Sequence, residues 1–197
     1  MKKFSAILLA ALCLLTALCG CGKKEDNDSP YLKGKHHVEI DVKDYGVIAV
    51  ELDADTAPIS VTNFVMLANE GFYDGLTFHR VMTGFMIQGG DPDHNGRGGS
   101  PNHIRGEFEA NGVKNDISHV RGVLSMARAK DFNSGSSQFF IVHEDSTFLD
   151  GNYAGFGWVT SGMEVVDAIC QDTPVTDDNG TVSFAFQPVI NSIKVID

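Results

Sequence analysis

From about residue 37 onward, the chain consists mainly of short apolar runs separated by turns rich in glycine. The runs 38–42 and 47–52 flank the stretch Lys43-Asp44-Tyr45-Gly46, and two alternating runs around such a turn are typical of a β-hairpin. Further short runs that extend this strand pattern cover residues 78–82, 85–88, 122–127, 137–143, 156–159 and 188–196. The pattern therefore predicts about eight short strands.

Two segments instead repeat apolar residues at steps of three and four, which is the spacing of a helix with one buried face. Residues 56–71 carry Pro58 near the start, Phe64 on the apolar face and Gly71 as a stop signal. Residues 162–170 form a second, shorter helical pattern. Together these elements predict a mainly β fold, a closed eight-stranded antiparallel β-barrel capped by two α-helices.

The N-terminus has the layout of a secretory signal peptide. Lys2 and Lys3 precede an apolar run over residues 4–18, and small residues follow it. A transmembrane helix is the alternative interpretation, but a span needs about 20 apolar residues, more than this run provides. We therefore expect residues 1–21 to be a signal peptide.

The stretch LCGC at residues 18–21 resembles the lipobox of bacterial lipoproteins, in which a cysteine after a small residue is lipidated and becomes the mature N-terminus. Cys21 fits this pattern because it follows Gly20, whereas Cys19 follows Leu18. Two or more acyl chains hold a protein stably on a membrane. The resemblance implies an extracytoplasmic protein, anchored to the bacterial cell membrane through lipid on Cys21.

Residues 22–36 are polar, charged and nearly free of apolar side chains, so they cannot bury enough surface to offset the entropy of ordering. We interpret them as a flexible tether that leads to one domain over residues 37–197. His36 and His37 lie beside this segment, where adjacent histidines are usually solvated rather than bound to metal. Cys170 ends a helical pattern and is expected to be a small buried hydrophobic residue.

Charge and motifs exclude several function classes. The formal net charge is −11, which repels nucleic-acid phosphates. The glycine-rich stretch 89–102 lacks both phosphate-binding patterns, and as a calcium loop it has Asn102 where a bidentate glutamate is needed. Histidines are scattered without a zinc-binding spacing, and no nucleophile motif is present. We expect no cofactor, no metal and no nucleic-acid partner.

One cation, Arg80, lies in the apolar stretch FHRVMTGFMIQGGD at residues 78–91. This stretch resembles the signature of the cyclophilins, a family of peptidyl-prolyl cis-trans isomerases. Three further blocks follow in family order, GVLSMARA at 122–129, GSSQFFI at 135–141 and FLDGNYAGFGWV at 148–159. The resemblance implies a cyclophilin-like fold over 37–197, in agreement with the predicted strands and helices.

The resemblance also implies roles for individual residues. Arg80 is the catalytic arginine and Gln88 the polar side chain that braces it. Phe85, Met86, Phe140 and Leu149 form the pocket for the proline ring. The groove for the rest of the peptide is lined by Gln138 and by the backbone of Ala127 and Arg128.

Three positions depart from the commonest eukaryotic pattern. Phe148 replaces a tryptophan, Tyr153 a histidine and Arg128 an asparagine. Because Phe148 lacks an indole N–H donor, cyclosporin is expected to bind weakly. The charge of Arg128 could bias the choice of substrate.

The sequence thus predicts a monomeric isomerase that binds proline-containing polypeptides and assists the folding of secreted or surface proteins. Catalysis would be non-covalent, by an arginine beside an apolar proline pocket. The alternative is a proline-peptide binding module, or a holdase chaperone, with little catalysis. The hairpin signal around Asn179-Gly180, within residues 175–182, has no predicted role.

Overall fold

The computed structural model describes residues 29–197, so the predicted signal peptide with Cys21 and residues 22–28 of the predicted tether lie outside it. The described chain forms eight strands, two α-helices and three short 3-10 turns. The strands are β1 Lys35–Val42, β2 Gly46–Asp53, β3 Phe78–Met82, β4 Met86–Gly89, β5 Val123–Met126, β6 Phe139–Val142, β7 Gly155–Ser161 and β8 Ile190–Val195. Within the described part, no helix is long and apolar enough to cross a membrane.

All eight strands belong to one antiparallel sheet with the order β3-β4-β6-β5-β7-β2-β1-β8. The sheet curls into a half-barrel around a core of buried aliphatic and aromatic side chains. Its two end strands approach each other around a bridge between Thr77 and Val189. There the N–H of Phe78 donates to the Pro188 carbonyl over 2.9 Å, and that of Ile190 to the Leu76 carbonyl over 2.8 Å. The predicted mainly β fold with eight antiparallel strands is therefore confirmed, and complete closure of the barrel stays a prediction.

Two helices cover the sheet. Helix α1 spans Pro58–Asn69 and begins with proline at its first turn, where the missing N–H costs no hydrogen bond. It ends before Gly71, whose φ of 69° lies in the left-handed region that suits glycine. Helix α2 spans Met163–Asp172 and buries Val166 and Ile169.

Contacts with the domain begin before residue 37, the predicted domain boundary. Strand β1 begins at Lys35. Before it, the N–H of Leu32 donates to Thr62 Oγ1 over 2.8 Å and that of Gly34 to Asp55 Oδ1 over 2.8 Å. The last residues of the segment predicted as a flexible tether, up to His36, therefore pack on the domain.

Candidate active site

Strands β3 and β4 place Arg80 and Gln88 side by side. The two residues are paired across the antiparallel register, so both side chains leave the same face of the sheet. Arg80 Nη1 donates to Gln88 Oε1 over 3.2 Å, and Gln88 Nε2 donates to Gln138 Oε1 over 2.9 Å. Gln138 Nε2 in turn donates to the carbonyl of Gly98 over 2.7 Å. A chain of three polar side chains thus runs along the groove from the guanidinium.

An apolar pocket lies beside this polar chain. Met86, Phe140 and Leu149 form its buried floor within a second hydrophobic cluster, separate from the main core. Phe85 packs at the edge of this cluster, and its ring centroid lies 5.9 Å from Arg80 Cζ. Tyr153 meets Phe140 edge-on, with 6.0 Å between ring centroids. The four residues predicted to hold a proline ring are thus brought together next to the arginine.

Burial sets the electrostatics of Arg80. Desolvation lowers its pKa from the ordinary value, while Tyr153 and Asp177 act in the opposite direction. Arginine nevertheless stays protonated in proteins, because its unperturbed pKa lies far above neutral pH. The half-buried guanidinium is therefore a cation partly removed from solvent, where its hydrogen bonds are stronger than in bulk water.

The space between these groups is a cavity of about 530 Å³. A second cavity of about 440 Å³ adjoins it, and Gln88, Ala127 and Arg128 line both. Gln138 lines the second cavity. Of the predicted site residues, Phe148 lines neither cavity, because its side chain is 72% exposed and rests on Phe85 at the rim, with 5.6 Å between ring centroids.

The structure adds residues to the site that the sequence motifs do not indicate. They come from three places, the strand residue His79, the loop after β4 and the predicted hairpin 175–182. The additional lining residues are His79, His94, Asn95, Gly96, Arg97, Asn179 and Thr181. The Asn-Gly pair at 179–180 signalled a turn, but no local pattern connects it to β3, about a hundred residues earlier in the chain.

The loop after β4 is organised by Asp91, whose carboxylate is fully buried. It accepts hydrogen bonds from the backbone N–H groups of Asp93 and Asn95, at 2.8 and 3.0 Å, and from that of Gly96. Burial alone would raise the pKa of Asp91, but these backbone donors outweigh burial and lower it. The buried carboxylate thus shapes the wall of the cavity.

The side chain of Arg128 does not reach across the groove. Its Cζ lies 5.1 Å from the Phe108 ring centroid, 5.0 Å from that of Phe132 and 4.6 Å from that of Tyr153. Its Nε and Nη2 donate to the carbonyl of Asn152, over 3.0 and 2.9 Å. Arg128 therefore holds the segment that carries Tyr153 against the groove.

A polar triad with a buried histidine and a buried serine supports the pocket floor from behind. His119 is fully buried; its Nδ1 donates to Asp150 Oδ1 over 2.8 Å, and its Nε2 accepts from Ser125 Oγ over 2.9 Å. Burial lowers the pKa of His119 despite the neighbouring carboxylate, so the ring is neutral at pH 7. The ring stacks on Phe140 at 6.1 Å. Ser125 is fully buried too, so neither its hydroxyl nor the His119 ring is accessible to a substrate.

Comparison with known proteins identifies the family. The model of the cyclophilin type peptidyl-prolyl cis-trans isomerase/CLD family matches residues 37–195. Peptidyl-prolyl cis-trans isomerase B of Bacillus subtilis is 52% identical over 124 residues, which cover 62% of this chain and 82% of that protein. The peptidyl-prolyl cis-trans isomerase of Helicobacter pylori is 48% identical over 128 residues, covering 64% of this chain and 76% of that protein.

A solved structure agrees with this family. The cyclophilin type peptidyl-prolyl cis-trans isomerase of Cryptosporidium parvum, crystallised in the presence of the dipeptide Ala-Pro, superimposes with a TM-score of 0.72 at 30% identity. The match covers 82% of this chain and 99% of that one. The chain therefore belongs to the cyclophilin-type peptidyl-prolyl cis-trans isomerases, and the predicted enzyme class is confirmed.

Proposed function

We propose that this isomerase acts through Arg80, which binds the twisted X-Pro bond more tightly than either planar form. The observation that carries the proposal is a half-buried guanidinium, braced by Gln88 and adjacent to the apolar floor of Met86, Phe140 and Leu149. A proline ring fits such a pocket. The relative crystallised with Ala-Pro supports proline-containing peptides as the substrate class.

The chemistry requires no nucleophile. Rotation about an X-Pro bond is opposed by amide resonance, with a barrier of about 20 kcal/mol, and no bond is broken. At that barrier the uncatalysed rate is about 0.01 per second, so a turnover of about 10 per second requires lowering the barrier by about 4 kcal/mol. Twisting localises the lone pair on the prolyl nitrogen, and a cationic donor stabilises that state selectively.

The interaction energies available at this site are large enough for that reduction of the barrier. A hydrogen bond from a charged donor contributes about 1.5 to 3 kcal/mol, so Arg80 could supply much of the reduction. Holding the proline ring on the apolar floor, where water is excluded, would supply the remainder. Gln88 contributes indirectly, by fixing the direction in which the guanidinium presents its N–H groups.

Arg80→Ala is the test of this proposal. We expect it to slow isomerisation of a proline peptide at least tenfold while the melting temperature stays within a few degrees, since the side chain serves the groove. Arg105→Ala is the matched control, because Arg105 is exposed and lines neither cavity. A parental rate in Arg80→Ala would refute the mechanism. A pure binding module, the alternative from the sequence, would bind the peptide without accelerating its exchange.

The cellular role follows from the N-terminal pattern and the enzyme class. We propose that lipid on Cys21 anchors the enzyme outside the cytoplasm, where it acts on exposed X-Pro bonds of secreted or surface proteins as they fold. The support is the order of the first residues, with Lys2 and Lys3 before an apolar run and Gly20 before Cys21. Uncatalysed X-Pro isomerisation takes tens of seconds or longer, slow enough to limit folding.

A further inference from the structure

The hairpin over residues 175–182 is a compact turn held by its own side chains. Asp177 Oδ1 accepts hydrogen bonds from the N–H of Asn179 over 3.1 Å and from that of Thr181 over 2.9 Å. The N–H of Gly180 donates to the Asp177 carbonyl over 3.1 Å, and that of Thr176 to the Thr181 carbonyl over 2.8 Å. These bonds fix the conformation of the tip although its side chains are exposed.

The hairpin is attached to strand β3, on both sides of the arginine. The N–H of Val81 donates to the Gly180 carbonyl over 2.8 Å, and the N–H of Val182 donates to the His79 carbonyl over 3.0 Å. Gly180 has a φ of 78°, and a Cβ at this position would collide with the Val81 carbonyl. Only glycine therefore allows so close an approach to the strand.

This attachment places Asn179 against the guanidinium of Arg80. Arg80 Nε donates to the Asn179 carbonyl over 2.7 Å, and Nη2 donates to Asn179 Oδ1 over 3.1 Å. Nη2 also contacts Met82 Sδ at 3.0 Å, and Nη1 donates to Gln88 Oε1. A guanidinium has five N–H groups, and these contacts engage four of them. The fifth, on Nη1, has no partner among residues 29–197.

We propose that Asn179 is a positioning residue for Arg80. The hairpin 175–182 thereby forms one wall of the active site and contributes to catalysis. Asn179 holds one edge of the guanidinium and Gln88 holds the other, which leaves one N–H of Nη1 to meet the prolyl peptide. A donor fixed in advance need not reorganise as the bond twists, so the benefit falls on the transition state. The inference deepens the proposed function and rests on it.

The charge of Asp177 adds to this arrangement. Its carboxylate opposes the effect of burial on the pKa of Arg80, and the guanidinium in turn helps to lower the pKa of Asp177. The hairpin therefore gives Arg80 two oxygen acceptors and a nearby negative charge, in place of the water that burial removes. Both acceptor oxygens belong to Asn179.

The inference is tested by a double-mutant cycle on the full chain in mild detergent. Asn179→Ala removes the side-chain oxygen and keeps the carbonyl. We expect the exchange rate of bound peptide, measured by NMR, to fall about fivefold, while its dissociation constant changes less than twofold. In an Arg80→Lys background, the same substitution should change the exchange rate less than twofold, because lysine has no guanidinium edge for Asn179 to hold. Asp178→Ala, an exposed neighbour that contacts neither residue, is the control.

The possible results distinguish the inference about Asn179 from the proposed function of Arg80. A parental rate in Asn179→Ala, with Arg80→Lys slow, would overturn the inference and leave the proposed function intact. An equal loss in both backgrounds would also overturn it, since Asn179 would then act independently of Arg80. A parental rate in Arg80→Lys would count against the proposed function itself. Backbone amide spectra of each variant verify that the fold is retained.

Discussion

At the scale of single residues, Arg128 acts in a way that its charge alone does not suggest. From the sequence, a cation at this position could bias substrate choice by charge. In the structure the guanidinium lies over three aromatic rings and donates to the Asn152 carbonyl, so much of its hydrogen-bonding capacity is used within the protein. Arg128 therefore contributes to the groove by placing Tyr153 and through its own backbone.

Phe148 is the residue from which weak cyclosporin binding is predicted. Its exposed ring rests on Phe85 and offers no hydrogen-bond donor to a ligand at the rim. Phe148→Trp adds an indole N–H, so we expect cyclosporin to inhibit this variant at least tenfold more strongly than the parent. Phe148→Leu, which adds no donor, should stay weakly inhibited. Strong inhibition of the parent protein would contradict this view of the rim.

The site residues could be predicted to different degrees. Arg80, Gln88 and the pocket residues lie in contiguous motifs, and the strand register then brings those motifs together. Asn179 could not be predicted to contact Arg80, because the contact depends on how a hairpin docks on a distant strand. Sequence patterns record local spacing, and a docking geometry of this kind is set by the whole fold.

At the scale of elements, strand β3 presents two neighbouring side chains to different surroundings. Arg80 faces the groove, and His79 is 5% exposed beneath the loop after β4. Neither ring nitrogen of His79 has a hydrogen-bond partner within the described residues. Burial lowers the pKa of His79 to about 4; the nearby Asp91 carboxylate opposes this effect, whereas the charges of Arg80 and His94 add to it.

This burial predicts a pH dependence of stability. The unfolded chain binds a proton at His79 near pH 6.5, whereas the folded chain does not until about pH 4. Stability from the neutral ring is thus complete above pH 6.5 and is lost as the pH falls, by about 3 kcal/mol at pH 4. In His79→Leu, the free energy of unfolding, measured by urea titration at each pH, should fall less steeply as the pH is lowered over this range. His103→Leu, at an exposed histidine, should keep the parental slope, and equal slopes in all three proteins would refute the assignment.

The elements themselves follow closely from residue patterns. Helix α1 and the first hairpin form where the spacing of apolar residues and the glycine positions predict them. Each of these elements depends on residues that are near one another in sequence. The number of strands and helices predicts complete closure of the barrel. How far the two end strands approach depends on sheet curvature and on the connection that leads into β8, which apolar spacing does not encode.

At the scale of the whole molecule, one compact domain continues into an N-terminal segment that the sequence predicts to be lipidated. The contacts of Leu32 and Gly34 shorten the predicted tether from its domain end. Composition alone could not locate this boundary, because the polar residues up to Lys35 have the composition of a tether. Only the structure shows that β1 already begins at Lys35.

The anchor itself is predicted to depend on one cysteine. Cys21→Ala removes the predicted lipid acceptor, so in a bacterial expression host we expect the protein to leave the membrane fraction for the soluble extracytoplasmic fraction. Cys19→Ala should remain in the membrane fraction, because Cys19 follows a large residue. Fractionation followed by immunoblotting measures both. Membrane retention of Cys21→Ala would refute lipid anchoring at this position.

The central claim is that Arg80 binds the twisted peptide more strongly than it binds either planar form. The most direct measurement is NMR line-shape analysis of a proline peptide titrated with the parent and with Arg80→Ala, which yields the exchange rate on the enzyme and the dissociation constant together. We predict an exchange rate at least tenfold lower in the variant, with a dissociation constant changed less than threefold. An unchanged exchange rate, or a loss of affinity as large as the loss of rate, would contradict the account.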